Sequence, residues 1–295
     1  MIKLYNRKTR EYEIEKVAGG GLLKALYDNK VGKLGLELLI KRKFYSWLTG
    51  VVCDAGISAR KVKSFVQDFD IDMSLCPAGV EDFKSFNEFF TRKLKPEARP
   101  FDPRPDMLLS PGDGRLKAWD NIDMDRLVQV KGFTYSLKEL VEDHELAKKY
   151  QGGICMVLRL APVDYHRFHF IDGGTCSESK RINGHYYSVN PVALNSIPQV
   201  FCRNKREYSI LHSENFGDIL YMEVGATSVG SIIQTYQPGR SIARGEEKGY
   251  FKFGGSTVIL FMEKRTAKID AEILHQTELG YEVRVLAGEI IGTKG

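Results

Sequence analysis

Three short clusters in this 295-residue chain carry side chains that can move protons or attack a carbonyl. They are Ser110-Pro111-Gly112-Asp113-Gly114, Asp164-Tyr165-His166-Arg167-Phe168-His169 and Gly254-Gly255-Ser256-Thr257. Singly, each reads as a turn or a strand end, because Gly and Asp are common turn residues. Together they admit three chemistries. A His-x-x-His pair with Asp164 or Asp113 could bind a metal ion, although no H-E-x-x-H or Cys-rich companion is present. An Asp, a His and a Ser could form a hydrolase triad. The G-x-S-x-G nucleophile elbow is missing, however, and its nearest approach is Ala226-Thr227-Ser228-Val229-Gly230, with Ala in the first place. In the third, an Asp113–His169 pair activates Ser256 against the carbonyl of its own predecessor, Gly255. Serine is a weak nucleophile and needs such a base. Glycines at 254 and 255 let the attacked carbonyl bend at little steric cost.

The elements around these clusters are mostly strands. Tyr250–Phe253 and Thr257–Phe261 are rich in aromatic and β-branched residues and flank the Gly-Gly-Ser core, as two strands flank a tight connection. Residues 154–160 form another strand, which leads into the histidine cluster. Further strands are expected near 185–189, 207–212, 218–224, 229–236 and 282–292, with one helical interlude over 136–149 that starts at Ser136. Many short strands with Gly turns predict a mainly antiparallel β-sandwich or barrel-like core. Upstream the texture is helical. Residues 1–16 read as a strand pair, and 22–30, 33–52 and 57–69 as helices. Ser85-Phe86-Asn87-Glu88 fits a capping box that opens a helix carrying Phe89, Phe90 and Leu94 and ending at Pro96. Four prolines between 96 and 105 mark a boundary. The expectation is an α+β chain with a helical region over 1–105 and a β-rich catalytic region over 106–295.

Composition narrows the setting. Residues 1–67 hold 14 Lys and Arg against 6 Asp and Glu, whereas the rest holds 29 against 32. A basic N-terminal quarter on a slightly acidic body suggests an anionic partner for that quarter. The segment over 33–52 combines large apolar residues, the basic run Lys41-Arg42-Lys43 and Trp47, a composition suited to a bilayer interface and also to ordinary core packing. No run of 18 apolar residues predicts a transmembrane helix, and the N-terminus lacks the apolar stretch of a signal peptide. Gly19-Gly20-Gly21 lacks the companions of a phosphate-binding loop. Five cysteines without C-x-x-C spacing read as unpaired thiols in a reducing compartment. Nucleic-acid binding is disfavoured, because the basic residues sit among apolar helices and not in a recognition motif.

The three clusters, with two further segments, resemble the phosphatidylserine decarboxylase proenzyme family. The matching stretches are Phe86-Asn87-Glu88-Phe89-Phe90-Thr91-Arg92-Lys93-Leu94-Lys95-Pro96, Ser110–Gly114, Asp164–His169, Val224–Ile232 and Arg244–Phe251 continuing through Ser256-Thr257. They span roughly residues 86–264, and their joint order is specific where each alone is weak. Relatives commonly carry Leu-Gly-Ser-Thr or Gly-Ser-Ser-Thr where this chain has Gly-Gly-Ser-Thr. The resemblance implies self-cleavage at Gly255-Ser256 by Asp113, His169 and Ser256, giving chains 1–255 and 256–295. It implies that Ser256 becomes a covalent pyruvoyl group, the Schiff-base residue for the serine amine, and that His166 serves as proton donor in decarboxylation. It further implies phosphatidylserine as substrate, phosphatidylethanolamine as product, an anionic membrane surface as docking partner, a homodimer, and a peripheral place on the cytoplasmic side of the cell membrane. No metal is implied. Two alternatives stay open: a pyruvoyl-dependent decarboxylase of a soluble amino acid, and a non-catalytic lipid-binding β-domain.

Overall fold

A computed structural model describes residues 2–15, 43–130, 132–226 and 231–295. The first segment is the expected strand pair. β1 (Lys3–Asn6) and β2 (Glu11–Ile14) run antiparallel with Tyr5 opposite Tyr12. Next come α1 (Lys43–Asp54), a short turn at Gly56–Ala59, α2 (Arg60–Asp68) and α3 (Phe86–Phe90). The helix read over 22–30 and the first part of that over 33–52 lie outside the described residues. Ser85 caps α3 as expected, its Oγ accepting from the Glu88 N–H at 3.1 Å. The capping box closes only halfway, because the Glu88 carboxylate accepts from the Lys84 N–H instead of that of Ser85. α3 also stops at Phe90 and does not run on to Pro96. The Thr91 carbonyl is taken by the Arg167 guanidinium at 2.7 and 3.0 Å, a tertiary contact that replaces the next helical bond. Val62, Phe83, Phe86, Phe89 and Phe90 form a small core of their own, on which Phe253 packs.

Beyond Met107 strands dominate. β3 (Met107–Leu109), β4 (Gly114–Trp119), β5 (Leu127–Val130) and β6 (Phe133–Tyr135) precede the helical interlude. The interlude is two short helices. α4 (Leu137–Val141) is opened by a complete capping box of Ser136 and Glu139 and closed by Glu142 in the left-handed region. α5 (His144–Lys148) is capped by Asp143. Then follow β7 (Ile154–Leu160), β8 (Arg167–His169), β9 (Gly174–Cys176) and β10 (Lys180–Ile182). Residues 185–189 form no strand, only an isolated bridge between His185 and Asn204. The remaining strands are β11 (Arg206–Ser213), β12 (Gly217–Gly225), β13 (Ile232–Gln234), β14 (Ser241–Ile242), β15 (Glu247–Phe251) and β16 (Ser256–Met262). β17 (Ala267–Ile269), β18 (Glu282–Val285) and β19 (Ile290–Lys294) complete the chain.

Eleven strands make one sheet in the order β14-β9-β11-β12-β16-β7-β4-β18-β1-β2, with β10 beside β11. Every pairing in it is antiparallel except β1 with β18. The barrel-like expectation is corrected here, because the sheet is open. It ends at β14, two residues long, and at β2, whose charged residues Glu11 and Glu13 discourage further pairing. Smaller sheets, β13-β15-β8 and β17-β19-β3, lie apart from it. β16 occupies the middle of the large sheet, and all seven of its residues are buried. Strand alternation sends Val258, Leu260 and Met262 into one core and Ile259 and Phe261 into another. A strand covered on both faces needs an unbroken apolar run, as this one has.

Candidate active site

Ser256 is the first residue of β16, paired with Gly225 of β12 on one side and Leu160 of β7 on the other, and it is fully buried. The chain enters the strand through Gly254 at φ 140°, a conformation that side chains with a Cβ rarely adopt. Helices hold the approach. The Phe253 N–H donates to Asn87 Oδ1 at 2.8 Å, and Asn87 Nδ2 donates to Asp54 Oδ1 at 2.9 Å. Lys252 Nζ reaches the same Asp54, at 3.0 Å from Oδ2. The Phe253 ring stands edge-on to Phe86 and Phe90, with both centroids 5.1 Å away.

The two histidines occupy different surroundings. They are three residues apart along an extended chain, so they face opposite ways. His166 Nδ1 lies 3.2 Å from Ser256 Oγ, and its Nε2 lies 3.0 Å from the Ala161 carbonyl oxygen. A carbonyl only accepts, so Nε2 carries the proton and Nδ1 presents a lone pair to the serine hydroxyl. The ring packs against Phe90, with centroids 3.9 Å apart, and is fully buried. Burial pushes its pKa down to about 3 against the pull of Asp164. His169 Nδ1 lies 3.0 Å from the Gly245 carbonyl, which assigns the proton to Nδ1. Its Nε2 is buried without a partner, a free basic lone pair, and burial lowers its pKa too.

The first cluster comes close through the backbone, where the His169 N–H donates to Pro111 O at 2.8 Å. Gly114 is required there, since an added Cβ would lie 2.7 Å from Arg159 O. The Asp113 carboxylate accepts from Arg99 Nε at 2.7 Å, from Arg99 Nη2 at 2.5 Å and from the Ala287 N–H at 2.9 Å. Among the described residues no hydrogen bond joins His169 to Asp113 or to Ser256. The chain thus gathers all three clusters, with His166 rather than His169 on the serine. A cavity of about 450 Å³ opens beside them, its wall including Arg92, Arg99, Asp113, Arg115, Asp164 and Tyr165. Of the elbow-like stretch 226–230, only Ala226 is described, and among the described residues no three potential metal-ligating side chains converge.

The family model for phosphatidylserine decarboxylase matches residues 86–293. The chain belongs to this family. Three curated members show how closely it follows them. A phosphatidylserine decarboxylase proenzyme of Ruminiclostridium cellulolyticum is 62% identical over 292 residues, covering 99% of this chain and 97% of its own. One from Clostridium perfringens is 58% identical over 294 residues, and one from Clostridium botulinum 56%, each covering 100% of both chains.

Several residues that shape this decarboxylase-family site carry no signal in the sequence. Arg99 lies in the proline-rich stretch read as a boundary, yet it clamps Asp113. Asn87 and Phe90 belong to a matched motif, but nothing there announces that one holds Phe253 and the other packs on His166. Lys248 and Glu223 form a 2.8 Å ion pair with no exposed surface, between β15 and β12. Only the fold could reveal these pairings.

Proposed function

We propose that this chain is a proenzyme that cuts itself between Gly255 and Ser256 and then decarboxylates phosphatidylserine to phosphatidylethanolamine. The observation that carries the reading is the buried Ser256 hydroxyl, 3.2 Å from an imidazole lone pair, behind a glycine in a conformation suited to a bent junction. Ser256 Oγ attacks the Gly255 carbonyl carbon, the peptide nitrogen leaves, and the amide becomes an ester. Loss of the Ser256 Cα proton expels the Gly255 carboxylate and leaves dehydroalanine, which water converts to a ketone with release of ammonia. The fit of such a group is supported by the full burial of Ser256 and by the imidazole lone pair that faces it. That pyruvoyl ketone would supply an electron sink for the amine-bound substrate.

The roles divide between the histidines. His169, with a free lone pair at Nε2, is the base for cutting, and Asp113 steadies the imidazolium once released from Arg99. His166, within reach of the group that Ser256 becomes, would take up at Nδ1 the proton that the substrate ammonium gives up and return it in place of carbon dioxide, an effect worth roughly 10²–10⁴-fold. The 3.2 Å contact favours a second assignment, in which His166 also takes the Ser256 proton.

The same reading assigns 1–105 to docking and 106–295 to catalysis, with the hairpin β1–β2 contributing to the catalytic sheet. Docking on a membrane surface is supported by exposed Leu48, Val51, Val52 and Ile57 on and just after α1, and by the basic first quarter, while the cytoplasmic side and the homodimer are what the resemblance implies. Among the described residues no helix is long and apolar enough to cross a membrane. Denaturing mass measurement tests the core of the proposal. Two fragments divided at 255/256 are expected, and a single full-length species that decarboxylates the lipid would overturn it.

A further inference from the structure

Arg92 is 6% exposed and lines the cavity beside the histidines. Among the described residues no carboxylate pairs with it. Its Nε is buried without a partner, and its contacts are weak ones, a long 3.4 Å hydrogen bond from Nη1 to the Phe89 carbonyl and the neighbouring Cys76 thiol. The guanidinium rests 4.8 Å from the Phe89 ring. A buried arginine left this way is costly, because its desolvated charge has no counter-ion.

The other cations of that cavity are already matched. Arg99 pairs with Asp113, Arg115 with Glu15 and Asp164, and Arg284 with Glu13. The two remaining carboxylates of the wall, Asp70 and Asp72, are exposed at its mouth. Among the described residues, Arg92 is the cation of this wall that no carboxylate contacts directly. It also stands close to the chemistry, since Phe90, two residues before it, packs on His166, and Asp164 and Tyr165 of the same wall immediately precede His166.

We propose that Arg92 receives the phosphodiester of the lipid headgroup. The inference rests on the phosphatidylserine reading and adds the residue that selects for a phosphate. The headgroup offers two anions. The carboxylate is destroyed in the reaction, so a guanidinium bound to it would hold the ground state more tightly than the transition state and slow the step. The phosphodiester keeps its charge from substrate to product, and a fixed cation there anchors the headgroup without opposing the loss of carbon dioxide. Guanidinium suits phosphate oxygens by its planar array of donors.

The test uses mature, cut enzyme in detergent with short-chain phosphatidylserine. Arg92→Met should raise KM at least tenfold and change kcat less than threefold, with Arg92→Lys between it and wild type. A purely structural role would lower the cut fraction and kcat and leave KM alone, and that result would overturn the proposal. Two competitors separate the anions. Glycerophosphoethanolamine has the phosphodiester and no carboxylate, and O-acetylserine the reverse. Its inhibition constant should rise with KM for the first and stay within twofold of wild type for the second. The opposite pattern would move Arg92 to the carboxylate and defeat the proposal. If Arg92→Met fails to mature, Arg92→Lys carries the same comparison. Wild-type turnover, measured alongside, reports on the underlying phosphatidylserine reading by itself.

Discussion

The lone pair on His166 Nδ1 faces the Ser256 hydroxyl because the Ala161 carbonyl claims the proton on Nε2. His169 is arranged likewise, with Gly245 as the acceptor and Nε2 left free. Two imidazoles therefore carry a free lone pair in this site, only one of them on Ser256, and single substitutions separate their proposed roles. His169→Ala should leave the chain uncut. His166→Ala should still yield fragments 1–255 and 256–295 but lose roughly 10²–10⁴-fold in turnover. Fragment analysis paired with carbon dioxide release reads both, and an uncut His166→Ala would transfer the cutting role to that residue.

Asn87 fixes the Lys252–Phe253 peptide, three peptide bonds ahead of the proposed cut, by accepting from Phe253 and donating to Asp54. Asn87→Asp sets two carboxylates against each other and should slow cutting at least tenfold. Adding Asp54→Asn reverses the direction of the inner bond while keeping the acceptor for Phe253. The double variant should mature faster than Asn87→Asp alone, as followed by time-resolved gel analysis. Failure of that rescue would mean that Asn87 acts by packing only.

Acid should weaken the intact chain through His166. Its folded pKa of about 3 lies below the ordinary 6.5, so the unfolded chain binds the proton that the folded one refuses. Its contribution is full above pH 6.5 and is lost as pH falls from there towards 3, at up to about 1.4 kcal/mol per pH unit. In a Ser256→Ala background, which keeps every molecule uncut, His166→Phe should make stability fall less steeply over that window in denaturant titrations. Parallel slopes would show that the ring is protonated in the fold.

Lys248 and Glu223 tie the small sheet that carries β8 to the large sheet that carries Ser256. Four aromatic rings stand 4.9–5.9 Å from the ammonium. Lys248→Met alone strands a buried carboxylate and should cost roughly 3–5 kcal/mol. Lys248→Met with Glu223→Leu removes both charges and should recover much of that loss. Thermal unfolding of the two variants decides the matter.

The exposed apolar residues around α1 set the last expectation. Replacing Leu48, Val51, Val52 and Ile57 together by Ser should leave cutting intact and reduce sedimentation with anionic vesicles by at least tenfold. Unchanged vesicle binding would place the docking surface elsewhere.

Much of this arrangement was legible in the sequence where the cause is local. Ser85 and Ser136 cap helices because their side chains reach amides three residues on, and β16 was readable from its apolar run. Long-range causes were not. The helix after Ser85 ends early because Arg167, 76 residues away, takes the Thr91 carbonyl. The sheet gains its last two strands because β1 joins β18 across most of the chain. The clusters themselves could be found, since each carries Gly, Asp or His in a dense motif. Which histidine meets Ser256 could not, because it depends on the phase of the extended chain that enters β8.

β16 is bonded along its whole length to β12 and β7, and residues beyond it supply β17, β18 and β19. A nick ahead of its first residue therefore releases nothing. The 40-residue product would remain threaded through the middle of its parent as an inseparable subunit, and the matured protein should elute from a sizing column at the same volume as the unbroken one.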